Sequence, residues 1–220
     1  MLRSIFGISI GYLLGSIPTA YLAGRWIKGI DLRKYGSGTA SASMVWEHVA
    51  HWALFPVALF DIIKAAFAAW LGMKLGDGVT VATIAGLAAV IGHNWSIFLN
   101  FTGGRGLSPF IGVLLVVFPL GLPWLVAFLA VGYFLGDSAP WALVSLITMP
   151  FLVNWKGGAE VIGWSAVTMV IITLVKRLEA NGRLLPEEAG ERRRTIFMRL
   201  LFDRDISSHS EWIKRRPDEH

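Results

Sequence analysis

The chain has 220 residues, of which 55% are apolar and only 16% are charged, and its mean hydropathy is +0.58. This composition is too apolar for a soluble domain of this length and predicts an all-α membrane protein with several spans. The 20 Lys and Arg residues cluster where apolar runs end, so we expect a membrane surface as partner and no nucleic acid. The absence of cysteine excludes disulfides, thiolate nucleophiles and thiolate metal sites.

Seven apolar runs are candidates for transmembrane helices. In chain order they cover residues 2–24, 52–73, 79–99, 107–118, 124–136, 141–155 and 161–176. The first run holds Gly-Ser-Ile-Pro in its interior, unlike a signal peptide with a cleavage site, so we interpret it as a retained span. A span needs about 20 residues. Because the runs after Arg105 are shorter, six spans is the alternative to seven.

The basic residues predict the orientation. With seven spans, Arg105, the loop at 25–43 and the 11 cations from Lys176 onward fall on one side, against Arg3, Lys74 and Lys156 on the other. Cytoplasmic loops carry the excess of Lys and Arg, so we place the N-terminus outside and the C-terminus in the cytoplasm. The loops at 25–43 and 102–106 then lie together on the cytoplasmic face.

The loop from Asp31 to Ser43 (D-L-R-K-Y-G-S-G-T-A-S-A-S) combines small residues with four hydroxyls that can donate to oxyanions. We expect Ser41 or Ser43 to cap a helix that begins near Val45. The alternative is a flexible Ser/Gly connector between spans. The loop is not a Walker A motif, because no G-K-[ST] closes it.

Two charged residues interrupt the second run. Asp61 and Lys64 lie one turn apart, where isolated charges are costly, so we expect an ion pair that faces the bundle interior, with a proton relay as the alternative. His93 lies near the end of the third run, where an imidazole can exchange protons near neutral pH; an interfacial role is the alternative. The sequence Glu47-His48-Val49-Ala50-His51 lacks the H-E-x-x-H order and an evident third ligand, so no metal is predicted.

The loop Thr102-Gly103-Gly104-Arg105-Gly106 is the strongest candidate for an anion site. Its glycines let the backbone turn N–H groups toward one point, Arg105 adds positive charge, and the next helix presents its positive end there. Phosphate is the expected anion. A tight interhelical turn with a positive-inside arginine is the alternative.

The C-terminal part differs in composition, so we divide the chain into a multispan domain at 1–182 and a charged cytoplasmic tail at 183–220. Three arginines at 192–194 precede Ile196, Phe197, Leu200 and Leu201, which fall on one helical face. This spacing is typical of a helix that lies along the inner membrane surface; a solvated tail is the alternative. The sequence shows no internal repeat, which disfavours a phosphate or lipid transporter.

Six segments together resemble a known family. They are Gly11 to Ser16 (G-Y-L-L-G-S), Gly29 to Arg33 (G-I-D-L-R), Gly36-Ser37-Gly38, Asp61 to Lys64 (D-I-I-K), Gly92-His93, and Phe101 to Gly106 (F-T-G-G-R-G). Their order and spacing over residues 7–185 resemble those of the PlsY-type glycerol-3-phosphate acyltransferases. The resemblance implies a seven-span bacterial inner-membrane protein with a site that faces the cytoplasm.

The resemblance also implies the reaction. The implied substrates are acyl phosphate and glycerol 3-phosphate, whose 1-hydroxyl receives the acyl chain to give lysophosphatidate without metal or other cofactor. The implied catalytic residues are Ser37, His93 and Arg105. The implied substrate-binding residues are Arg33, Gly36, Gly38, Thr39, Ser41, Ser43, Gly103, Gly104, Gly106 and Arg177.

The chain departs from the family pattern at several of these positions. The family's G-S-G-N-x-G-A-T-N reads G-S-G-T-A-S-A-S-M at residues 36–44, Glu47 replaces an arginine, and Arg105 replaces a lysine. A family serine expected near residues 136–145 has no match, because Ser138 and Ser145 flank its position without matching its surroundings, and the family's last motif loses its histidine and its asparagine near Arg177. A non-catalytic homologue that binds lipid or phosphate, or that partners an active acyltransferase, is therefore the alternative function.

Overall fold

The computed structural model describes residues 2–76 and 78–216, and helices make up nearly all of its regular structure there. The helices are α1 (Leu2–Ser16), α2 (Thr19–Lys28), α3 (Ala42–His48), α4 (Leu54–Leu75), α5 (Gly78–Asn94), α6 (Leu107–Val117), α7 (Gly121–Phe134), α8 (Ser138–Trp155), α9 (Glu160–Glu179), α10 (Ala189–Phe202) and α11 (His209–Lys214). Single 3-10 turns lie at Leu32–Lys34, His51–Ala53, Ile97–Leu99 and Ala180–Gly182.

Four helical segments of the described residues are long and apolar enough to cross a membrane. They are Leu2–Lys28, His51–Leu75, Ser138–Trp155 and Glu160–Gly182, and Gly78–Asn94, Leu107–Val117 and Gly121–Phe134 are shorter apolar helices. All seven apolar runs of the sequence are therefore helical, and large apolar side chains such as Phe55, Trp70, Phe151 and Trp164 face outward. The all-helical membrane fold is confirmed, while the count of seven spans stays a prediction.

The first span is bent at Pro18. α1 ends at Ser16 and α2 begins at Thr19, because a proline has no backbone N–H and clashes with the preceding turn of a helix. The break places the carbonyl of Ile17 beside the ammonium of Lys64, at a distance of 2.8 Å. The bend therefore supplies a hydrogen-bond acceptor to a buried charge of α4.

Small residues let α1 and α5 pack with their backbones in close contact. Gly11 and Gly15 lie directly against the carbonyl groups of Ala85 and Ala89, and a Cβ at either glycine would overlap these carbonyl oxygens. Such small-xxx-small faces allow the van der Waals contact that drives helix association in a membrane. The pairing fixes α5, and with it His93 near its C-terminal end.

We expect Gly15→Val to destabilise the bundle by about 2 kcal/mol or more, because the backbones of α1 and α5 must separate to admit the side chain. The measurement is the thermal unfolding midpoint of purified protein in detergent. Gly163→Ala in α9 is the matched control, because the nearest atom to its added Cβ lies 3.9 Å away. An unchanged midpoint for Gly15→Val would contradict the close packing seen here.

Two clusters of buried apolar side chains pack the helices and the first loop together. The larger cluster joins α4 to α9 and includes the fully buried side chains of Phe110, Leu125, Leu146, Met149 and Met169. The smaller cluster lies under the segment between α2 and α4, and its members include Leu32, Met44, Val45 and Leu99. This second cluster holds the Ser/Gly loop in a defined conformation, which contradicts the flexible-connector alternative.

The helix that was expected near Val45 begins earlier, at Ala42, and Ser41 occupies its N-cap position. The hydroxyl of Ser41 bonds to the hydroxyls of Thr39 and Ser43 rather than to the helix. The expected capping bond is therefore wrong for both serines in the described part of the chain. Their hydroxyls instead belong to a row of four hydroxyl groups that hydrogen-bond to one another.

Candidate active site

A cavity of about 680 Å³ lies where the loop between α2 and α3 meets the loop between α5 and α6. Eight of the sequence-predicted site residues line it: Ser37, Thr39, Ser41, Ser43, His93, Arg105, Gly106 and Arg177. The apolar side chains of Leu129 and Leu146 form another part of the wall. The cavity therefore combines a polar region with an apolar one.

Hydrogen bonds join the two loops directly. The N–H of Ala40 donates to the carbonyl of Gly103 at 3.1 Å. The side-chain amide of Asn181, which follows α9, donates to Gly38 O at 2.7 Å and to Gly103 O at 3.1 Å. The expectation that these loops lie together is confirmed, and Gly38 and Gly103 act as backbone supports of the site.

Arg33 stabilises the first loop. Its guanidinium forms a 2.8 Å ion pair with Asp31 and also reaches Thr102 Oγ1 at 3.4 Å. Hydrogen bonding to Arg33 lowers the pKa of the Asp31 carboxyl, and the same bond raises the pKa of Arg33. In the structure the Arg33 guanidinium therefore contacts residues of the two loops, whereas the family resemblance implied that it contacts substrate.

A row of four hydroxyls faces the cavity. Ser37 Oγ lies 2.6 Å from Thr39 Oγ1, which lies 3.0 Å from Ser41 Oγ, and Ser41 Oγ lies 3.1 Å from Ser43 Oγ. Ser37 lies in the turn between Gly36 and Gly38, and Ser43 lies in the first turn of α3, so the turn and the helix start together bring the four hydroxyls into line. The row offers several donors to an oxyanion.

The glycines of the second loop are required by close contacts. A Cβ at Gly104 would overlap the imidazole of His93, and Gly103 lies against the carbonyls of His93 and Asn94. Gly106 has φ +79° and is the N-cap of α6, a conformation that favours glycine. With Gly106 and the first residues of α6 in the cavity wall, the positive end of this helix faces the cavity.

His93 belongs to a buried charged cluster. Lys64 Nζ lies 2.7 Å from Asp61 Oδ1 and 3.2 Å from His93 Nδ1, and Thr19 Oγ1 donates to Asp61 at 2.6 Å. The expected Asp61–Lys64 ion pair in the bundle interior is confirmed, with both side chains at most 2% exposed. His93 Nδ1 lies 3.2 Å from Lys64 Nζ and 3.5 Å from Asp61 Oδ1, so this nitrogen faces the charged cluster, while Nε2 lies beside Gly104.

The two arginines of the cavity wall are held by oxygen atoms of neighbouring segments. Arg105 donates from Nε to Asp203 Oδ2 at 3.1 Å and from NH1 to the Lys176 carbonyl at 2.7 Å, and its NH2 lies 3.0 Å from Asp203 Oδ1. Arg177 donates to the carbonyls of Leu200 and Leu201 at the C-terminal end of α10. Both side chains thus contact the tail as well as the cavity.

The C-terminal tail forms a wall of the cavity, which the sequence reasoning missed. Phe202, Asp203, His209, Trp212 and Ile213 line it. No spacing or motif connects residue 203 with residue 105, so the sequence held no signal for this contact. α10 and α11 pack beside the cavity, and the expectation that the tail lies along the inner membrane surface stays a prediction.

Two backbone carbonyls of the tail anchor it to the first loop. Gly36 N–H donates to Arg215 O at 2.9 Å, and His48 Nε2 lies 2.7 Å from Ile213 O. Burial lowers the pKa of His48, so the neutral ring with its hydrogen on Nε2 is the form that donates to this carbonyl. Gly36 therefore lies beneath the tail rather than facing the cavity.

The structure also distinguishes the two candidate serines near the start of α8. Ser138 lines the cavity directly after Asp137, the N-cap of α8. Ser145 is fully buried and its hydroxyl donates to the carbonyl of Ala142. Ser138 is thus the serine of this region that reaches the site.

The Glu47-His48-His51 segment does not form a metal centre. His48 bonds to Ile213 O, while His51 stacks on Trp46 with ring centroids 4.2 Å apart. Across residues 2–76 and 78–216, no group of three His, Cys, Asp or Glu side chains is arranged to hold a metal ion. The side chains of this segment have packing roles.

Comparison with known proteins gives consistent matches. A family model described as glycerol-3-phosphate acyltransferase matches residues 5–186. Glycerol-3-phosphate acyltransferase 4 of Dehalococcoides mccartyi (strain CBDB1) is 35% identical over 226 residues, covering 97% of this chain and 94% of the relative. Glycerol-3-phosphate acyltransferase of Synechococcus sp. (strain CC9902) is 38% identical over 176 residues, covering 80% and 87%.

Solved structures match as well. The glycerol 3-phosphate form of PlsY (YgiH), described as an integral membrane glycerol 3-phosphate acyltransferase, superposes with a TM-score of 0.73 at 26% identity, covering 82% of this chain and 90% of PlsY. Its lysophosphatidic acid form gives a TM-score of 0.71 at 25% identity. The family model, the curated relatives and the solved structures agree, and the chain belongs to the glycerol-3-phosphate acyltransferase family.

Proposed function

We propose that this protein transfers an acyl chain from acyl phosphate to the 1-hydroxyl of glycerol 3-phosphate, giving lysophosphatidate and phosphate. The observation that carries the proposal is the composition of the cavity wall. Arg105, the hydroxyl row and the N-terminal end of α6 converge on one region, and Leu129 and Leu146 provide apolar surface for an acyl chain. Such a cavity suits two phosphorylated substrates of which one carries a lipid chain.

The transfer proceeds by direct attack, without a covalent enzyme intermediate. The glycerol oxygen forms a bond to the acyl carbon, the bond from that carbon to the phosphate oxygen breaks, and phosphate leaves with the electron pair. Phosphate is already a good leaving group, so the protein contributes mainly by positioning the substrates and stabilising charge. Positioning and charge stabilisation require hydrogen-bond donors and a cation in the cavity wall, and the proposed reaction includes no cofactor.

The proposed roles follow the contacts. Arg105, Ser37 and the backbone around Gly106 bind phosphate oxygens, with Thr39, Ser41, Ser43 and Arg177 as further binding residues. Gly36, Gly38, Gly103, Gly104 and Arg33 shape the two loops. His93 Nδ1 faces the Asp61–Lys64 pair, and either His93 Nε2 or a phosphate oxygen of the substrate takes the proton of the attacking hydroxyl.

We further propose the membrane arrangement. Seven spans, an external N-terminus and a cytoplasmic C-terminus place the cavity on the cytoplasmic side of a bacterial inner membrane, where soluble glycerol 3-phosphate can enter. The division into a multispan domain at 1–182 and a tail at 183–220 belongs to the same proposal. Cysteine substitutions in this cysteine-free chain, labelled from either side of sealed vesicles, test the orientation.

Purified protein in liposomes, given acyl phosphate and glycerol 3-phosphate, is expected to release phosphate and form lysophosphatidate in equal amounts. Omitting either substrate is the control for spontaneous hydrolysis. Release of phosphate no faster than this background, beside an active reference acyltransferase, would overturn the proposal. Complementation of a cell that lacks its own acyltransferase tests the same function under natural membrane conditions.

A non-catalytic homologue is the second candidate, and one observation favours it. Both cavity arginines already contact oxygen atoms of the tail or its neighbours, as they would in a protein that no longer binds substrate there. In this case the protein would reach the membrane, bind phosphate or lipid and fail to complement. Substrate flux into sealed liposomes without turnover would instead indicate a transporter.

A further inference from the structure

We infer that the C-terminal tail is part of the active site and that Asp203 is a positioning residue, which orients the Arg105 guanidinium for phosphate binding. This inference rests on the proposed function. It concerns a part of the chain that the family model, which ends at residue 186, does not include. It also assigns a use to the arginine that replaces the family's lysine.

The first support is that the cavity remains open with the tail in place. α10 and α11 form a wall of a space of about 680 Å³ that Ser37, His93 and Arg105 also line. A tail that blocked the site would fill the space between these residues. The tail therefore encloses the substrate chamber, and an inhibitory plug is the less consistent interpretation.

The second support is the geometry of the guanidinium. Asp203 Oδ2 accepts a hydrogen bond from Nε, Asp203 Oδ1 lies within ion-pair distance of NH2 at 3.0 Å, and the Lys176 carbonyl accepts from NH1. A guanidinium has five N–H donors in a planar fork. These contacts leave further N–H donors on NH1 and NH2, and the side chain that carries them lines the cavity. Arg105 can thus hold Asp203 and a phosphate at once, which a lysine ammonium cannot do with comparable geometry.

The third support is that Asp203 is itself fixed. It follows α10 in the left-handed conformation, with φ 56°, and its N–H donates to the carbonyl of Arg199. Arg177 binds the last carbonyls of the same helix. Because the backbone of Asp203 is fixed by these hydrogen bonds, its carboxylate can restrict the rotation of the Arg105 guanidinium.

A second ion-pair group links this end of the tail to the hydroxyl loop. Asp205 lies 2.6 Å from Arg199 and 3.4 Å from Arg183, and Arg183 donates to the carbonyl of Gly36 at 2.6 Å. Through these contacts the tail supports both phosphate-binding elements, the Ser37 loop and Arg105. Asp205→Asn would weaken these tail contacts without changing a residue that contacts Arg105.

The test is Asp203→Asn, which keeps the size of the side chain and removes its charge. We expect a 10- to 100-fold lower kcat/KM, because the guanidinium loses its fixed orientation. Glu211→Gln removes one exposed tail charge and is the matched control. Asp203→Glu, which retains the carboxylate, is expected to keep more activity than Asp203→Asn.

A double-variant cycle separates positioning from a general structural role. In the Arg105→Lys background, Asp203→Asn is expected to change kcat/KM less than twofold, since an ammonium has no fork to orient. The same loss in both backgrounds, or a loss in Asp205→Asn as large as in Asp203→Asn, would overturn the inference. Wild-type activity or higher activity in Asp203→Asn would also overturn it and would indicate that the carboxylate competes with substrate.

Calorimetric binding of inorganic phosphate provides a readout that does not need turnover. Asp203→Asn is expected to bind phosphate at least tenfold more weakly than Glu211→Gln, and equal affinity contradicts the inference. If Asp203→Asn does not fold, Asp203→Glu is compared with Glu211→Gln in its place and is expected to bind measurably more weakly. An inactive wild type that shows the expected binding difference would refute the proposed function and leave the positioning role intact.

Discussion

Arg105→Ala is expected to lower kcat/KM by about 100- to 1000-fold while the protein remains folded, the range found when one charge-stabilising donor is removed from an acyl-transfer site. Arg105 lines the cavity and is only 18% exposed, and its guanidinium keeps N–H donors that its contacts with Asp203 and Lys176 do not use. The measurement is phosphate release with each substrate varied in turn. The substrate whose KM rises most is the one whose phosphate Arg105 binds.

Two controls make the Arg105 result specific. Arg194→Ala removes an exposed arginine of α10 and is expected to leave turnover unchanged. Thermal unfolding in detergent shows whether loss of the Asp203 pair has destabilised the protein. A folded Arg105→Ala protein with wild-type kcat/KM would exclude Arg105 from the mechanism and favour the interpretation of residues 102–106 as a simple turn.

Asp61→Asn is expected to reduce stability by about 3–5 kcal/mol, because it leaves the Lys64 ammonium buried without its counter-charge. Lys64 is 2% exposed, and its other contacts are the Ile17 carbonyl and the ring of His93. The measurement is the unfolding midpoint in detergent, supported by the yield of protein inserted in the membrane. Asp31→Asn, which breaks the more exposed Asp31–Arg33 pair, is the matched control and is expected to cost about 1 kcal/mol or less.

The double variant Asp61→Asn/Lys64→Met tests why the pair is present. Replacing both charges removes the unpaired ammonium, so stability is expected to recover toward the wild type. Activity is expected to stay low, because His93 Nδ1 loses its contacts with the Lys64 ammonium and the Asp61 carboxylate, which hold the ring in place. Full activity in the double variant would show that the cluster serves folding alone.

Much of the helical framework could be predicted from the sequence because apolar runs of membrane length have few stable alternatives to a helix. The same holds for the Asp61–Lys64 pair, since charges one turn apart in such a run must neutralise each other. Helix ends were less predictable. The start of α3 at Ala42 and the break at Pro18 depend on packing under the Ser/Gly loop and on local backbone conformation.

The site was predictable as far as local chemistry extends. The hydroxyl row, the glycine turn and His93 are each encoded within a few residues, and their motifs carried the family resemblance. Arg33 and Gly36 were assigned to substrate binding by the same resemblance, but their contacts depend on tertiary packing, which short motifs do not give. In the structure Arg33 pairs with Asp31, and Gly36 lies beneath the tail.

The sequence by itself therefore determined the membrane class, the helical segments and the two loops of the site, because these follow from composition and short-range spacing, and the resemblance of its motifs indicated the family. Only the tertiary structure decided how Arg105 is held and what encloses the cavity. The contact between Arg105 and Asp203 joins residues 98 positions apart, and no local pattern encodes it. Many carboxylates of the chain could pair equally well with Arg105 in the unfolded state. Asp203 becomes its partner only because the folded tail packs on the bundle and places this carboxylate beside the guanidinium.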